Sequence, residues 1–270
     1  MSTTVVPLDG SEFAEAALRV ARAVARENGG PLVLVSVTTT AMAEADDQYL
    51  QHVAAGIDDV QVSTVLSLLE PGQRAADGIE AAVTEAGPGA MVCMTAHGRT
   101  GLGAAVLGST TEDLLRRHDR PVLVVGRHCS PGWPEQRRLL VPLDGSARSE
   151  QILPEVAGVS TDWGLEPWLL QVVHPFDSEM SQHLDTALVG AQTRLRDLGV
   201  DAKTDFQFAS NAAVAIDQQA RGLGAALIMM SSYVHPGMAR TLLGSVTMQV
   251  VHSAPCPVLI CPHPDDEASA

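Results

Sequence analysis

Short apolar runs alternate along this chain with longer stretches of helical period. Thr3 to Leu8 reads as a strand, Ser11 to Glu27 as an amphipathic helix and Pro31 to Val37 as a second strand. A less regular stretch, Asp47 to Ile57, carries a helix before a third strand at Val60 to Leu66. Gln73 to Glu85 is helical, Ala90 to Thr95 a strand, Ser109 to Arg117 a helix and Pro121 to Val125 the last strand. The remainder repeats the plan, with strands at Arg138 to Leu143, Glu166 to Val173, Val200 to Phe208, Ala225 to Ser231 and Val258 to Cys261. Strands alternating with helices predict an α/β fold with parallel sheets covered on both faces. Right-handed crossovers then give a doubly wound, five-stranded sheet of order 3-2-1-4-5, whose ligand crevice lies beyond the carboxyl ends of the first and fourth strands.

The plan recurs because the chain is duplicated. Val6-Pro7-Leu8-Asp9-Gly10-Ser11 returns as Val141-Pro142-Leu143-Asp144-Gly145-Ser146. Leu107-Gly108-Ser109 returns as Leu243-Gly244-Ser245, and Pro121-Val122-Leu123 as Pro257-Val258-Leu259. Three matches in one order and nearly one phase predict two domains, 1–127 and 137–270. The linker is 128–136, which holds Pro131, Gly132 and Pro134.

Composition narrows the partners. An apolar fraction of 46% over 270 residues is enough to fill two cores. A net charge of -15 repels phosphate backbones and anionic membrane surfaces, and 3% aromatics leave few stacking platforms. Neither nucleic acid nor membrane is expected as a partner. Lys203 is the sole lysine and no glycine-rich loop precedes it, which excludes a P-loop and a kinase-type lysine. Met1 to Gly10 does not read as a signal peptide, and the longest apolar runs, such as Ala225 to Met230, are far short of the roughly 20 residues that span a bilayer. A cytoplasmic location is the expectation. Cys93, Cys129, Cys256 and Cys261 lack CxxC spacing and read as buried thiols outside any disulfide or metal framework.

The crevice carries the distinctive residues of each copy. The first strand ends in Asp9-Gly10-Ser11, and the fourth runs through Thr95-Ala96-His97-Gly98-Arg99-Thr100-Gly101-Leu102-Gly103 to Gly108-Ser109. Glycines followed by Gly-Ser at a helix start offer backbone N–H groups and a hydroxyl to a phosphate. The same glycines also suit a long surface loop, and Ser109 a helix cap. Asp9 and Asp144 suit ribose hydroxyls or a hydrated metal, and equally suit an Asp-Gly-Ser turn. His97 and Arg99 have no paired nucleophile or metal-ligand cluster beside them, so no catalytic residue is assigned and the chain is not expected to be an enzyme. Arg116, Arg117 and Arg120 oppose the negative end of the fourth helix, a structural role.

The fourth-strand segment resembles the universal stress protein signature: Gly, two residues, Gly, nine residues, Gly, then Ser or Thr. Gly98 and Gly108 enclose nine residues and Ser109 follows; the opening strand ending in Asp-Gly-Ser and the closing Pro-Val-Leu-Val-Val strand match as well. The resemblance covers both copies. It implies a five-stranded parallel α/β fold, pairing through the last strands as an intramolecular pseudo-dimer or homodimer, and a family with ATP-binding and non-binding branches. Carried over, it implies that Gly98, Gly108 and Ser109 contact the phosphates of ATP, with or without Mg2+. Asp9 would lie near the ribose, Val37 would meet the adenine through its backbone, and His97 and Arg99 would be loop residues near the anion. Thr95 departs from the family's first glycine, and its β-branched side chain resists positive φ and close backbone approach. In the second copy Asp144, Val172, Gly244 and Ser245 are in place, but Ser231 and Val234 replace the first two glycines and His235-Pro236 stiffens the loop. The expectation is an ATP-binding regulatory stress-response protein that holds nucleotide mainly in its first domain. Its competitor is a non-binding pseudo-dimeric scaffold acting through protein contacts. An adenylyl-transferring enzyme is disfavoured, because such enzymes resemble one another in an early His-x-Gly-His motif and no histidine ends the first strand.

Overall fold

In a computed structural model, residues 2–98, 107–117, 119–130, 133–134, 136–175, 178–234 and 244–264 are described; for 178–186, 233–234 and 264 this extends to the backbone alone. Two compact units divide the chain, Met1–Val125 and Gly126–Ala270.

The first unit runs β1 (Thr4–Pro7), α1 (Glu12–Asn28), β2 (Leu32–Thr38), α2 (Ala43–Ala55), β3 (Val62–Leu68), α3 (Ala75–Glu85), β4 (Met91–Thr95), α4 (Ser109–Arg117) and β5 (Val122–Val125). Its strands are parallel in the order β3-β2-β1-β4-β5, with Val5 opposite Val33 of β2 on one side and Val92 of β4 on the other. Val5, Val6, Leu32, Leu34 and Val92 are fully buried, as a sheet covered on both faces requires. Ser11 caps α1 by accepting from Ala14 N, and Gly29 ends it in the left-handed conformation at φ 60°. On the opposite face α3 approaches β2 at Gly78. A Cβ there would lie 2.7 Å from Val37 Cγ1 and 2.6 Å from Ser67 Oγ, so bulk and not backbone freedom demands glycine.

The second unit repeats this with β6 (Arg138–Leu143), a short 3-10 turn (Ser149–Ile152), α5 (Leu153–Asp162), β7 (Glu166–Val173), α6 (Ser178–Asp197), β8 (Lys203–Phe208), α7 (Ala212–Leu223), β9 (Leu227–Val234), α8 (Ser245–Ser253) and β10 (Val258–Pro264). Its parallel pairings give β8-β7-β6-β9-β10. The predicted order 3-2-1-4-5 is therefore the observed one in each unit. The segment entering this unit bonds to it: Ser130 N donates to Pro255 O at 2.7 Å, Gln136 N to Gly224 O at 3.2 Å and Trp133 Nε1 to Ala226 O.

Several boundaries differ from the periodicity reading. Helix α3 begins at Ala75 rather than Gln73, strand β8 at Lys203 rather than Val200, β9 is Leu227–Val234 rather than Ala225–Ser231, and β10 runs on to Pro264. Two further differences have a visible local cause. Helix α2 begins at Ala43, four residues before Asp47, because Met42 stands at its N-cap without a side-chain cap to announce the start. Strand β3 begins two residues later than Val60. Asp59 just before it is held by Arg22 and Arg26 of α1, at 2.6 and 3.2 Å, in a bend at 59–60, and bonding to β2 starts where Gln61 O accepts from Leu32 N at 2.8 Å.

Candidate functional site

The crossovers leaving β1 and β4 turn to opposite faces, and a cleft of about 220 Å³ opens where those strands end. The turn after β1 builds one wall. Gly10 takes φ 80°, a conformation disfavoured for side-chain-bearing residues, and this folds Ser11 back on Asp9. Asp9 Oδ1 accepts from Ser11 N at 3.1 Å and from Ser11 Oγ at 2.5 Å, while Ser11 Oγ accepts from Ala14 N at 3.2 Å. The aspartate is thus oriented by the cap of α1.

The end of β4 builds the other wall. Gly108 N donates to Ala96 O at 2.8 Å, closing the base of the loop between them. Gly98 does not take positive φ. Its role is steric, since a Cβ there would lie 2.6 Å from Asp9 Oδ2. Thr95 directs its hydroxyl into the turn, donating to His97 O at 2.6 Å, and Thr111 Oγ1 donates to Thr95 O at 3.1 Å. The threonine in the family's glycine position is accordingly accommodated without positive φ, by bonding the loop's own backbone. Glu112 N donates to Gly108 O at 2.9 Å, which makes Gly108 the cap position of α4 and Ser109 its exposed first residue. Ser109, Thr110 and Thr111 line the cleft, and N–H groups in a first turn have no intrahelical acceptor. Val37, Ala75 and Ile79 supply an apolar face opposite.

Asp9, Val37, Thr95, His97, Gly98, Gly108 and Ser109 are brought together in this one cleft. Arg99, Gly101 and Gly103 lie outside the described residues.

A second cleft, of about 350 Å³, occupies the same place in the other unit and gathers Asp144, Val172 and Gly244. Gly145 takes φ 84°, and Asp144 Oδ1 accepts from Ser146 N at 2.9 Å and Ser146 Oγ at 2.6 Å. Partial desolvation raises the Asp144 pKa, but hydrogen bonds from Ser146 and Ser149 outweigh it and hold the carboxyl below its usual range. Gly244 caps α8 at φ -53° and ψ 142°, while Val246 and Thr247 line the cleft and Ser245 does not. Ser231 Oγ is buried and has no hydrogen-bond partner among the described residues. The Val234 side chain, His235 and Pro236 lie outside the described part.

Several lining residues were missed from sequence although the repeat contains them. Thr111 and Thr247 each stand two places after the Gly-Ser serine, and Ala75/Ile79 and Ala212/Ile216 recur at one spacing. Arg148 lines the second cleft at the position where the first copy has Phe13, which does not line its own.

The "Universal stress protein family" model matches residues 1–126 and again 136–262. A universal stress protein of Mycobacterium tuberculosis is 28% identical over 194 residues, covering 63% of this chain and 61% of that protein, so the chain spans about three fifths of that relative. The solved structure of a universal stress protein from Archaeoglobus fulgidus aligns with TM-score 0.70 at 20% identity, over 96% of this chain and 98% of that one. Another universal stress protein from Archaeoglobus fulgidus, solved in complex with dAMP, aligns with 46% of this chain and 97% of its own, at 19% identity and TM-score 0.38; the nucleotide is that protein's ligand. Matched twice along its length and folded twice in the same way, the chain belongs to the universal stress protein family.

Proposed function

We propose that this protein is an ATP-binding regulatory stress-response protein without catalytic turnover, acting in the cytoplasm, with nucleotide held mainly in the first cleft. One observation carries the reading: a carboxylate, an apolar face and a helix first turn converge on that cleft. Asp9 is fixed by Ser11 with its second oxygen against Gly98. The ribose hydroxyls would donate to Asp9, and the planar base would lie over Val37 and Ile79. The phosphates would take N–H groups from the first turn of α4, where the helix dipole favours negative charge. Magnesium, if bound with the nucleotide, would meet the phosphates and, through water, the carboxylate of Asp9.

The second cleft repeats Asp144 and the Gly244 cap, but Ser231 and Val234 stand in place of two glycines, and it is proposed as the weaker site. Pairing of two copies through Pro121–Val125 and Pro257–Cys261, within one chain or between chains, belongs to the same proposal. It is supported by the place of β5 and β10 at the end of each unit's strand order.

Among the described residues no helix is long and apolar enough to cross a membrane, and no three His, Cys, Asp or Glu side chains form a metal-binding group. Mass spectrometry of the small molecules released when purified protein is denatured tests the reading. ATP or another adenine nucleotide in the supernatant supports it. Protein that releases none, and takes up none when dialysed against ATP, is a scaffold acting through protein contacts.

A further inference from the structure

The segment leading into the second unit lies beside the start of that unit's last strand, where Ser130 N donates to Pro255 O at 2.7 Å. A cysteine stands immediately before the donor residue and another immediately after the acceptor: Cys129 and Cys256. Covalent geometry places each of their Cα atoms less than about 3 Å from the atoms of that hydrogen bond, so the two Cα atoms lie within about 8 Å of one another. A disulfide needs a Cα separation of roughly 4.4–6.8 Å, within this bound. Cys256 is 1% exposed and Cys129 is half-buried. An oxidant therefore reaches one member of the pair while the other is shielded. Cys261 stands five residues beyond Cys256 on β10, and Cys93 lies in the first unit.

We propose that Cys129 and Cys256 form a redox-active thiol pair that closes into a disulfide within the second unit when the protein meets a hydroperoxide. The Cys129 thiolate attacks a peroxide oxygen, the O–O bond breaks, and Cys129 becomes a sulfenic acid while the leaving oxygen takes up a proton. Cys256 Sγ then attacks Cys129 Sγ. The S–S bond forms, the S–O bond breaks, and the hydroxyl leaves as water with the Cys256 proton. Two thiols lose two hydrogens and one hydroperoxide is reduced. The order of steps follows from burial, which pushes the Cys256 thiol well up, with the neighbouring Cys129 adding to the effect; the accessible thiol reacts first and the buried one resolves. The bond fixes the connecting segment to the α8–β10 turn.

The test uses the full chain, reduced, exposed to hydrogen peroxide, alkylated and digested with trypsin. Mass spectrometry should find peptide 128–137 joined to peptide 241–270, two hydrogens lighter than the separate pair and released by dithiothreitol. Peptide 241–270 also holds Cys261, so the link should persist in Cys261→Ser and vanish in Cys129→Ser and Cys256→Ser. In Cys256→Ser the sulfenic acid should accumulate on Cys129 and be trapped by a cyclic 1,3-diketone. Full alkylation of Cys129 and Cys256 after peroxide, or a link from Cys129 to Cys261 or to a second chain, would overturn the proposal.

Discussion

Replacing Gly98 by alanine tests the geometry of the first cleft most sharply. The new Cβ would stand 2.6 Å from Asp9 Oδ2 and 3.6 Å from Asp9 Cγ, well inside ordinary contact, so the carboxylate must turn away. Turning it strains the two hydrogen bonds that Oδ1 accepts from Ser11, at 3.1 and 2.5 Å, and loosens the Ser11 cap on α1. Hydrogen bonds to a charged group contribute about 1.5–3 kcal/mol each; losing part of the pair predicts a loss of about 1–2 kcal/mol of stability. For a domain of this size that lowers the melting temperature by about 3–8 °C. The same displacement moves the acceptor proposed for the ribose, so ATP affinity should fall about tenfold or more. Thermal unfolding of nucleotide-stripped protein reads the first effect and calorimetric titration the second. A double-mutant cycle with Asp9→Ala isolates the cause, because alanine at position 98 should cost little once the carboxylate is gone. Unchanged stability and affinity in Gly98→Ala, or full additivity with Asp9→Ala, would show that Gly98 does not make room for the Asp9 carboxylate.

Gly78→Ala should destabilise the first unit by about 1–3 kcal/mol, because its Cβ would meet Val37 Cγ1 at 2.7 Å and α3 must lift from β2; urea unfolding measures it. Glu80 is pushed above its usual pKa, first by burial and against the pull of Arg117, and its Oε1 has no hydrogen-bond partner among the described residues. A carboxyl raised in the folded state gives stability that is present below its unfolded pKa of about 4.3 and lost as pH rises through the folded value. Glu80→Gln should therefore raise the melting temperature at pH 7 and leave it unchanged near pH 4, as scanning calorimetry at the two pH values would show. Asp144 has the opposite sign, its carboxyl being held low by Ser146 and Ser149, so Ser146→Ala should reduce stability at neutral pH and lose that effect in acid below the folded pKa. Ser109→Ala should weaken ATP binding, whereas Ser245→Ala should leave the strong site nearly intact, a contrast that titration of the two variants resolves.

The strand order was legible because apolar runs and helical stretches alternate in a form that only parallel crossovers satisfy, and because the chain states the plan twice. Boundaries were legible where a side chain signals them. Ser11 caps α1 at the point where the sequence places that helix's start, whereas α2 starts at an uncapped Met42. The bend before β3 could not be seen, since Asp59 is held there by arginines more than thirty residues earlier. At the cleft, Asp9, the end of β4 and the Gly-Ser step were found from the strand ends and motif spacing, and Val37 and Val172 from the family resemblance. Those contributed by helix faces, Ala75 and Ile79 of α3 and Ala212 and Ile216 of α7, look like ordinary core positions until the helices are docked. Thr95 illustrates the remaining gap. Its residue type argued against the family's backbone geometry, and only its bond to His97 O shows how the turn is closed without a glycine.

Calorimetric titration of the full chain with ATP, beside Gly98→Ala and Asp144→Ala, bears most directly on the central claim that the first cleft is the nucleotide site. About one strong site per chain is expected, weakened at least about tenfold by Gly98→Ala and little changed by Asp144→Ala. No binding at any ATP concentration, two equivalent sites, or a single site abolished by Asp144→Ala would contradict it.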